Sequence, residues 1–274
     1  MGSDRVLLEI QEGIAHVRLN RPEKKNALDG EMFDALLGAS RELAENRSVR
    51  AVVLSGAGDS FCSGLDFSSF SDMASGTLDA ENEAVQETAR DLSPDGANRA
   101  QQLGWRWQEL PVPVIAAVQG AAYGGGFHIA LGADVRFIAP DARIAFVEIT
   151  WGLVPDLSGT QALRRLVPLD VAKKLILSGE PISGARAVEL HLGTEVSTQP
   201  LEDAIALAKT IASRSPDAVR AAKRLLNRSG LVPLDEGLAN EFRESSKLMG
   251  SKNQIEAVIA RLAKRDPCFS DPES

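Results

Sequence analysis

The stretch Pro113-Val114-Ile115-Ala116-Ala117-Val118-Gln119-Gly120-Ala121-Ala122-Tyr123-Gly124-Gly125-Gly126-Phe127-His128 passes from a short apolar run into a loop that ends in three consecutive glycines. The run has the length of a buried strand. The glycines open a helix predicted to run through Ala130, and the first N–H groups of any helix have no internal acceptor. A helix ending near Leu110 precedes this unit, and strands around Val135 to Ile138 and Arg143 to Phe146 follow it.

A similar unit lies upstream. Val6-Leu7-Leu8-Glu9-Ile10 and Ile14-Ala15-His16-Val17-Arg18-Leu19, broken by Gln11-Glu12-Gly13, read as a hairpin. Asp29 is placed to cap a helix from about Gly30 to Glu45, and Ala51-Val52-Val53-Leu54-Ser55 is a buried strand stopped by Gly56-Ala57-Gly58-Asp59. Two such units predict stacked α/β architecture. From Asp170 onward the pattern is almost wholly helical, punctuated by Pro181, Pro200, Pro216 and Pro233. Residues 68 to about 100 are rich in Ser, Asp, Gly and Glu; they read as a lid or pocket wall, or equally as a surface loop.

The chain has 274 residues, a formal charge of -8 and two cysteines, Cys62 and Cys268, far apart in sequence. That length buries a full core without staples, and free thiols in a reducing cytoplasm are the expectation. The acidic balance argues against nucleic-acid binding by the surface as a whole, and no apolar stretch is long enough to span a bilayer. His16, His128 and His191 lack ligand-like spacing, so no metal is expected, and no GxGxxG follows a strand to suggest a nicotinamide or flavin. Ser63 lacks a GxSxG elbow, although a Ser63–His128 pair is worth checking.

Two glycine turns are placed to carry chemistry. Ser60-Phe61-Cys62-Ser63-Gly64-Leu65-Asp66 turns a strand end into a helix, and Gly120 to His128 does the same. Converging N–H donors at such turns stabilise a developing oxyanion by roughly 3 kcal/mol each. A glycine loop also serves close packing, and each turn alone fits that reading.

Taken in order, these blocks resemble the crotonase superfamily, the enoyl-CoA hydratase/isomerase family. The likeness is carried by Asn20-Arg21-Pro22-Glu23-Lys24-Lys25-Asn26-Ala27-Leu28, the 61–66 turn, residues 113–126, residues 148–161, and Leu262-Ala263-Lys264-Arg265-Asp266-Pro267-Cys268-Phe269. It implies an α/β spiral of repeated ββα units (residues 1–200) followed by a helical oligomerisation region (residues 201–274), assembled as a trimer or a dimer of trimers. It implies an acyl-CoA substrate, with coenzyme A entering as part of that substrate and no separate cofactor. The N–H groups of Ser63 and Gly125 would form the oxyanion hole. Coenzyme A would lie along Lys24, Lys25 and Ala27, with its adenine near Leu65 and Asp66, and with Lys264 and Phe269 reaching the nucleotide end of a ligand in the same or a neighbouring subunit. Without the likeness, Lys24 and Lys25 read as solvated lysines.

The family's hydratases hold a water between two glutamates. Here the second is present as Glu148, in Phe146-Val147-Glu148-Ile149-Thr150-Trp151-Gly152, and the first is replaced by His128. Glu148, in so apolar a setting, is expected to have a raised pKa suited to general acid–base work. Asp156 matches an aspartate of the dienoyl-CoA isomerases and lies near the nucleophile of the aryl-CoA dehalogenases; it also reads as a turn residue capping a helix. His128 fits a proton shuttle or a histidine hydrogen-bonded in place. Hydration and double-bond isomerisation both follow, with dehalogenation or hydrolysis and a non-catalytic acyl-CoA binder as alternatives. Phe67, Phe70, Met73, Trp105, Trp107 and Trp151 are candidates for the acyl pocket or the core.

Overall fold

The computed structural model describes residues 4–75 and 90–272. Nine strands occur among them: β1 (Val6–Gln11), β2 (Ile14–Leu19), β3 (Ala51–Gly56), β4 (Val114–Val118), β5 (Ala121–Tyr123), β6 (Val135–Ile138), β7 (Arg143–Ala145), β8 (Ile182–Ser183) and β9 (Glu195–Val196). The main sheet has the order β1-β2-β3-β4-β6-β9, and a small sheet has the order β5-β7-β8. Only β1–β2 and β7–β8 pair antiparallel. The hairpin turn takes positive φ at Glu12 (51°) and Gly13 (77°), the twist that matches two-residue connections.

The buried parallel strands sort their side chains by simple alternation. Val52, Leu54, Val114, Ala116 and Val118 join one apolar cluster, and Ala51, Val53, Ile115 and Ala117 join another on the opposite face. The first face is covered by the Gly30–Glu45 helix, capped as expected by Asp29 through Met32 N–H, which buries Met32, Leu36, Leu37 and Leu43. The second is covered by Ala204 and Ala208 of the Pro200–Ala212 helix. The C-terminal helices therefore begin with one that belongs to the sheet.

The repeat is visible in how each turn of chain divides between the two sheets. β4 lies in the main sheet, β5 in the small one, and the Gly125–Leu131 helix follows; then β6 and β7 divide in the same way before the Glu148–Trp151 turn. The first turn does so with a single rung: after β3, Cys62 bridges to Ala122 before the Phe67–Ala74 helix. This is the expected ββα spiral. Three details differ from the sequence reading. Ala121–Tyr123 is a strand and not loop, and β8 and β9 interrupt the helical run; at two or three residues each, they carry too little alternation to be read. Glu148 sits in a 3₁₀ turn. Part of the expected lid, residues 76–89, lies outside the described residues.

Candidate active site

The first wall is the 24–28 loop bound to the 61–66 turn. Leu28 N–H donates to the Gly64 carbonyl (2.8 Å) and Asp66 N–H to the Leu28 carbonyl (3.0 Å). Asn26, fully buried at φ 56°, fastens the two segments: its amide nitrogen donates to the carbonyls of Ala57 (2.9 Å), Ser60 (2.8 Å) and Phe61 (3.2 Å), and its Oδ1 accepts from Arg21 N–H (2.8 Å). Asparagine tolerates this left-handed backbone better than most residues. Its role was not read from the sequence, where it sits among lysines in an apparently polar loop.

Ser63 does not offer its N–H to a ligand, because that group donates to the Lys25 carbonyl at 2.9 Å. Its hydroxyl donates to the Lys24 carbonyl (3.3 Å), so no Ser63–His128 pair exists either. The pairing of Gly64 and Asp66 with Leu28 turns the intervening Leu65 N–H the opposite way, and among the described residues it has no acceptor. Gly64, at φ 90°, brings this turn against the glycine triplet: a Cβ there would stand 2.8 Å from the Tyr123 carbonyl and 4.0 Å from Gly125 N. Gly125 opens its helix with an N–H that has no acceptor among the described residues. The two converging donors are thus Leu65 and Gly125.

These donors line a pocket of about 710 Å³ with Lys24, Lys25, Ala27 and Asp66 on one side and Glu148, Trp151 and Asp156 on another. Phe67 and Trp151 meet edge to face at the mouth, ring centres 5.9 Å apart. Asp66 is held by Ser68, whose N–H caps onto it, and by Arg21 at 2.5 Å, which keep its carboxyl down at about 2. It therefore anchors the turn besides facing the pocket.

Glu148 is nearly buried, its side chain 11% exposed. Burial foremost, with the negative field of Asp156 added, pushes its pKa up to about 7. Gly124 makes room for it, since a Cβ there would come within 3.0 Å of Glu148 Oε1. Asp156 borders the pocket openly, yet the protein around its carboxyl still raises its pKa.

His128 stands behind this wall and not in it. The ring is fully buried, with Nε2 at 3.4 Å from Glu148 Oε1 but not aligned for a hydrogen bond, and both ring nitrogens lack partners among the described residues. Burial drives its pKa down to about 3, so it is neutral. Gly159 provides its space: a Cβ there would be 2.5 Å from the ring. Gly159 was not singled out in the sequence, because only the packing identifies it.

Lys264 and Phe269 are not brought to the pocket; the Phe269 carbonyl accepts from Arg50 at 2.9 Å, near the start of β3. Trp107 is core, donating to the Leu103 carbonyl (2.8 Å), whereas Trp105 lines a second cavity beyond Asp156. The side chains of Phe70 and Met73 lie outside the described part. Among the described residues no cluster of His, Cys, Asp and Glu could hold a metal, and no helix is long and apolar enough to cross a membrane.

Two glycine-ordered donors thus face a carboxylate of raised pKa across one pocket. The family model described as enoyl-CoA hydratase/isomerase matches residues 9–272. The 2,3-dehydroadipyl-CoA hydratase of Escherichia coli is 35% identical, with 96% of this chain and 98% of the relative covered. A probable enoyl-CoA hydratase of Mycobacterium tuberculosis is 33% identical over 94% of this chain and 96% of its own. A putative enoyl-CoA hydratase from Streptomyces coelicolor superposes with a TM-score of 0.87 at 31% identity, covering 98% of this chain and 94% of that one. The chain belongs to the enoyl-CoA hydratase/isomerase family of the crotonase superfamily. It is a crotonase-type acyl-CoA enzyme.

Proposed function

We propose that the enzyme moves a double bond within an enoyl-CoA thioester. Glu148 takes the proton from the carbon next to the thioester carbonyl of a 3-enoyl group, and the electron pair spreads onto the carbonyl oxygen held by the N–H groups of Leu65 and Gly125. The double bond shifts into conjugation when a proton is delivered at the fourth carbon, by Glu148 or by Asp156. The supporting observation is that Glu148 and Asp156 face the pocket together while His128 does not. A carboxylate with pKa about 7 is nearly half ionised at neutral pH, which suits a group that must both take and return a proton.

Hydration is the second reading, favoured by the hydratase names of the relatives; there Glu148 and Asp156 would hold the attacking water. Mass spectrometry of 3-enoyl-CoA and 2-enoyl-CoA after incubation separates them: an unchanged mass with a new conjugated absorbance supports isomerisation, and a product heavier by one water supports hydration. Glu148→Gln should lower kcat about 10²- to 10⁴-fold with the Kd for acyl-CoA unchanged. Full activity in that variant would remove Glu148 from the mechanism, and a wild type that binds these thioesters and converts none would be a non-catalytic binder.

The C-terminal helices are proposed to join copies of the chain as a trimer or a dimer of trimers, in the cytoplasm. Leu226 (73% exposed), Leu234 (79%), Phe242 (74%) and Leu262 (80%) leave an apolar surface that a second copy would cover.

A further inference from the structure

Beyond Asp156 the pocket meets a second cavity of about 1130 Å³, and Asp156 borders both. Its lining carries six cationic side chains, Arg164 and Arg165 among them, against the carboxylates of Asp95, Glu109, Asp156 and Glu244. Arg165 is fixed by neutral partners: it donates to Gln108 Oε1 (3.3 Å) and the Asn227 carbonyl (3.1 Å), and its guanidinium lies 5.8 Å from the centre of the Trp105 ring. Burial and then the like charge of Arg164 both work against its ionised form. Asp95, the nearest opposing charge, already accepts from Trp105 Nε1 at 3.0 Å. The Arg164 side chain has no carboxylate partner among the described residues. Adjacent arginines, one held flat by neutral groups, form a preset fork for a planar anion.

Arg164 follows the Gly159–Leu163 helix that begins just after Asp156, and both arginines line the second cavity. An acyl chain that passes Asp156 from the first pocket into the second cavity meets them.

We propose that the acyl group accepted here carries a carboxylate at its far end, seated on Arg164 and Arg165. This rests on the acyl-CoA reading above and deepens it by naming the substrate class: coenzyme A half-thioesters of unsaturated dicarboxylic acids. The first pocket handles the reacting end and the arginines hold the far end of the chain.

The test uses unreactive saturated thioesters in the intact protein. Alkanoyl-CoA of graded length is compared by calorimetry with its ω-carboxylate counterpart. At the matching length the ω-carboxylate form should bind about 10- to 100-fold tighter, the range of a charge-assisted pair. Arg164→Gln, a change at an exposed side chain that disturbs no contact, should erase most of that preference and leave the ω-methyl affinity unchanged; Arg165→Lys should keep part of it. Equal or weaker binding of the ω-carboxylate at every length overturns the proposal, as does an Arg164→Gln that weakens both forms alike. If neither form binds, the acyl-CoA reading fails and this proposal falls with it; ω-methyl binding without preference sinks this proposal alone.

Discussion

Glu148 carries the cost of being useful. Its pKa in the folded protein lies near 7, above the 4.5 of an ordinary glutamate, so folding favours the protonated form. The stabilisation due to that proton is fully present below 4.5 and is lost as pH rises from there through 7. At about 1.4 kcal/mol per pKa unit, and allowing for partial exposure, Glu148→Gln should be more stable than wild type by about 2 kcal/mol at pH 8, with the gap closing toward pH 4.5. Urea unfolding of both proteins at the two pH values checks this; a constant gap would mean the carboxyl is not strained. Catalysis takes the opposite sign, because the base must be ionised. Exchange of the α-protons of a saturated acyl-CoA with deuterated water should rise through about pH 7. Asp156→Asn removes a negative neighbour, so it should move that limb to lower pH. A smaller residue makes an equally definite claim: Gly159→Ala pushes a methyl into the His128 ring and should cost about 1–3 kcal/mol, most of it recovered when His128 is also shortened to Ala.

Among the elements, those with long periodic patterns were legible and those that are single rungs were not. The Gly30–Glu45 helix follows from its periodicity and Asp29 cap, the hairpin from alternation, and β3 and β4 from short apolar runs closed by glycine turns. The oxyanion donors were legible only as two turns. Ser63 was placed by correspondence with the family, whereas the geometry depends on the one-residue phase of the Leu28–Leu65 bridge, which no pattern of residue types encodes. Asn26 and Gly159 escaped for a similar reason: one acts through backbone carbonyls of a segment some thirty residues away, the other by what it lacks. Asn26→Ala leaves several buried carbonyls without donors, so it should lower stability by about 2–3 kcal/mol and weaken acyl-CoA binding at the same time, since both segments of the first wall hang on it. Unfolding curves read beside calorimetry test the coupling; loss of stability with intact affinity would show the segments to be independent.

For the whole molecule, the two sides of the sheet are closed by helices of the same chain, and much of the apolar surface left over lies on the C-terminal helices. For the trimer or dimer of trimers proposed above, Phe242→Asp combined with Leu262→Asp should lower the mass measured by light scattering to that of one chain; an unchanged multimer mass would place the contact elsewhere, and a wild type with the mass of one chain would remove the assembly. The first turn of the spiral raises a separate matter. In the main sheet β3 ties it to the second through a ladder with β4, but beside the site the tie shrinks to an isolated bridge, Cys62 to Ala122. Leu65 and Gly125 lie sixty residues apart, and close to them the two segments are joined by a short run of backbone hydrogen bonds, from Phe61 N–H to Gln119, Cys62 N–H to Ala121 and Tyr123 N–H to Cys62. The proposed oxyanion hole should therefore form late in folding and part early in unfolding, since long loops must close before so few bonds can form. On mild denaturation this protein should go silent as an enzyme while its sheet is still protected from hydrogen exchange.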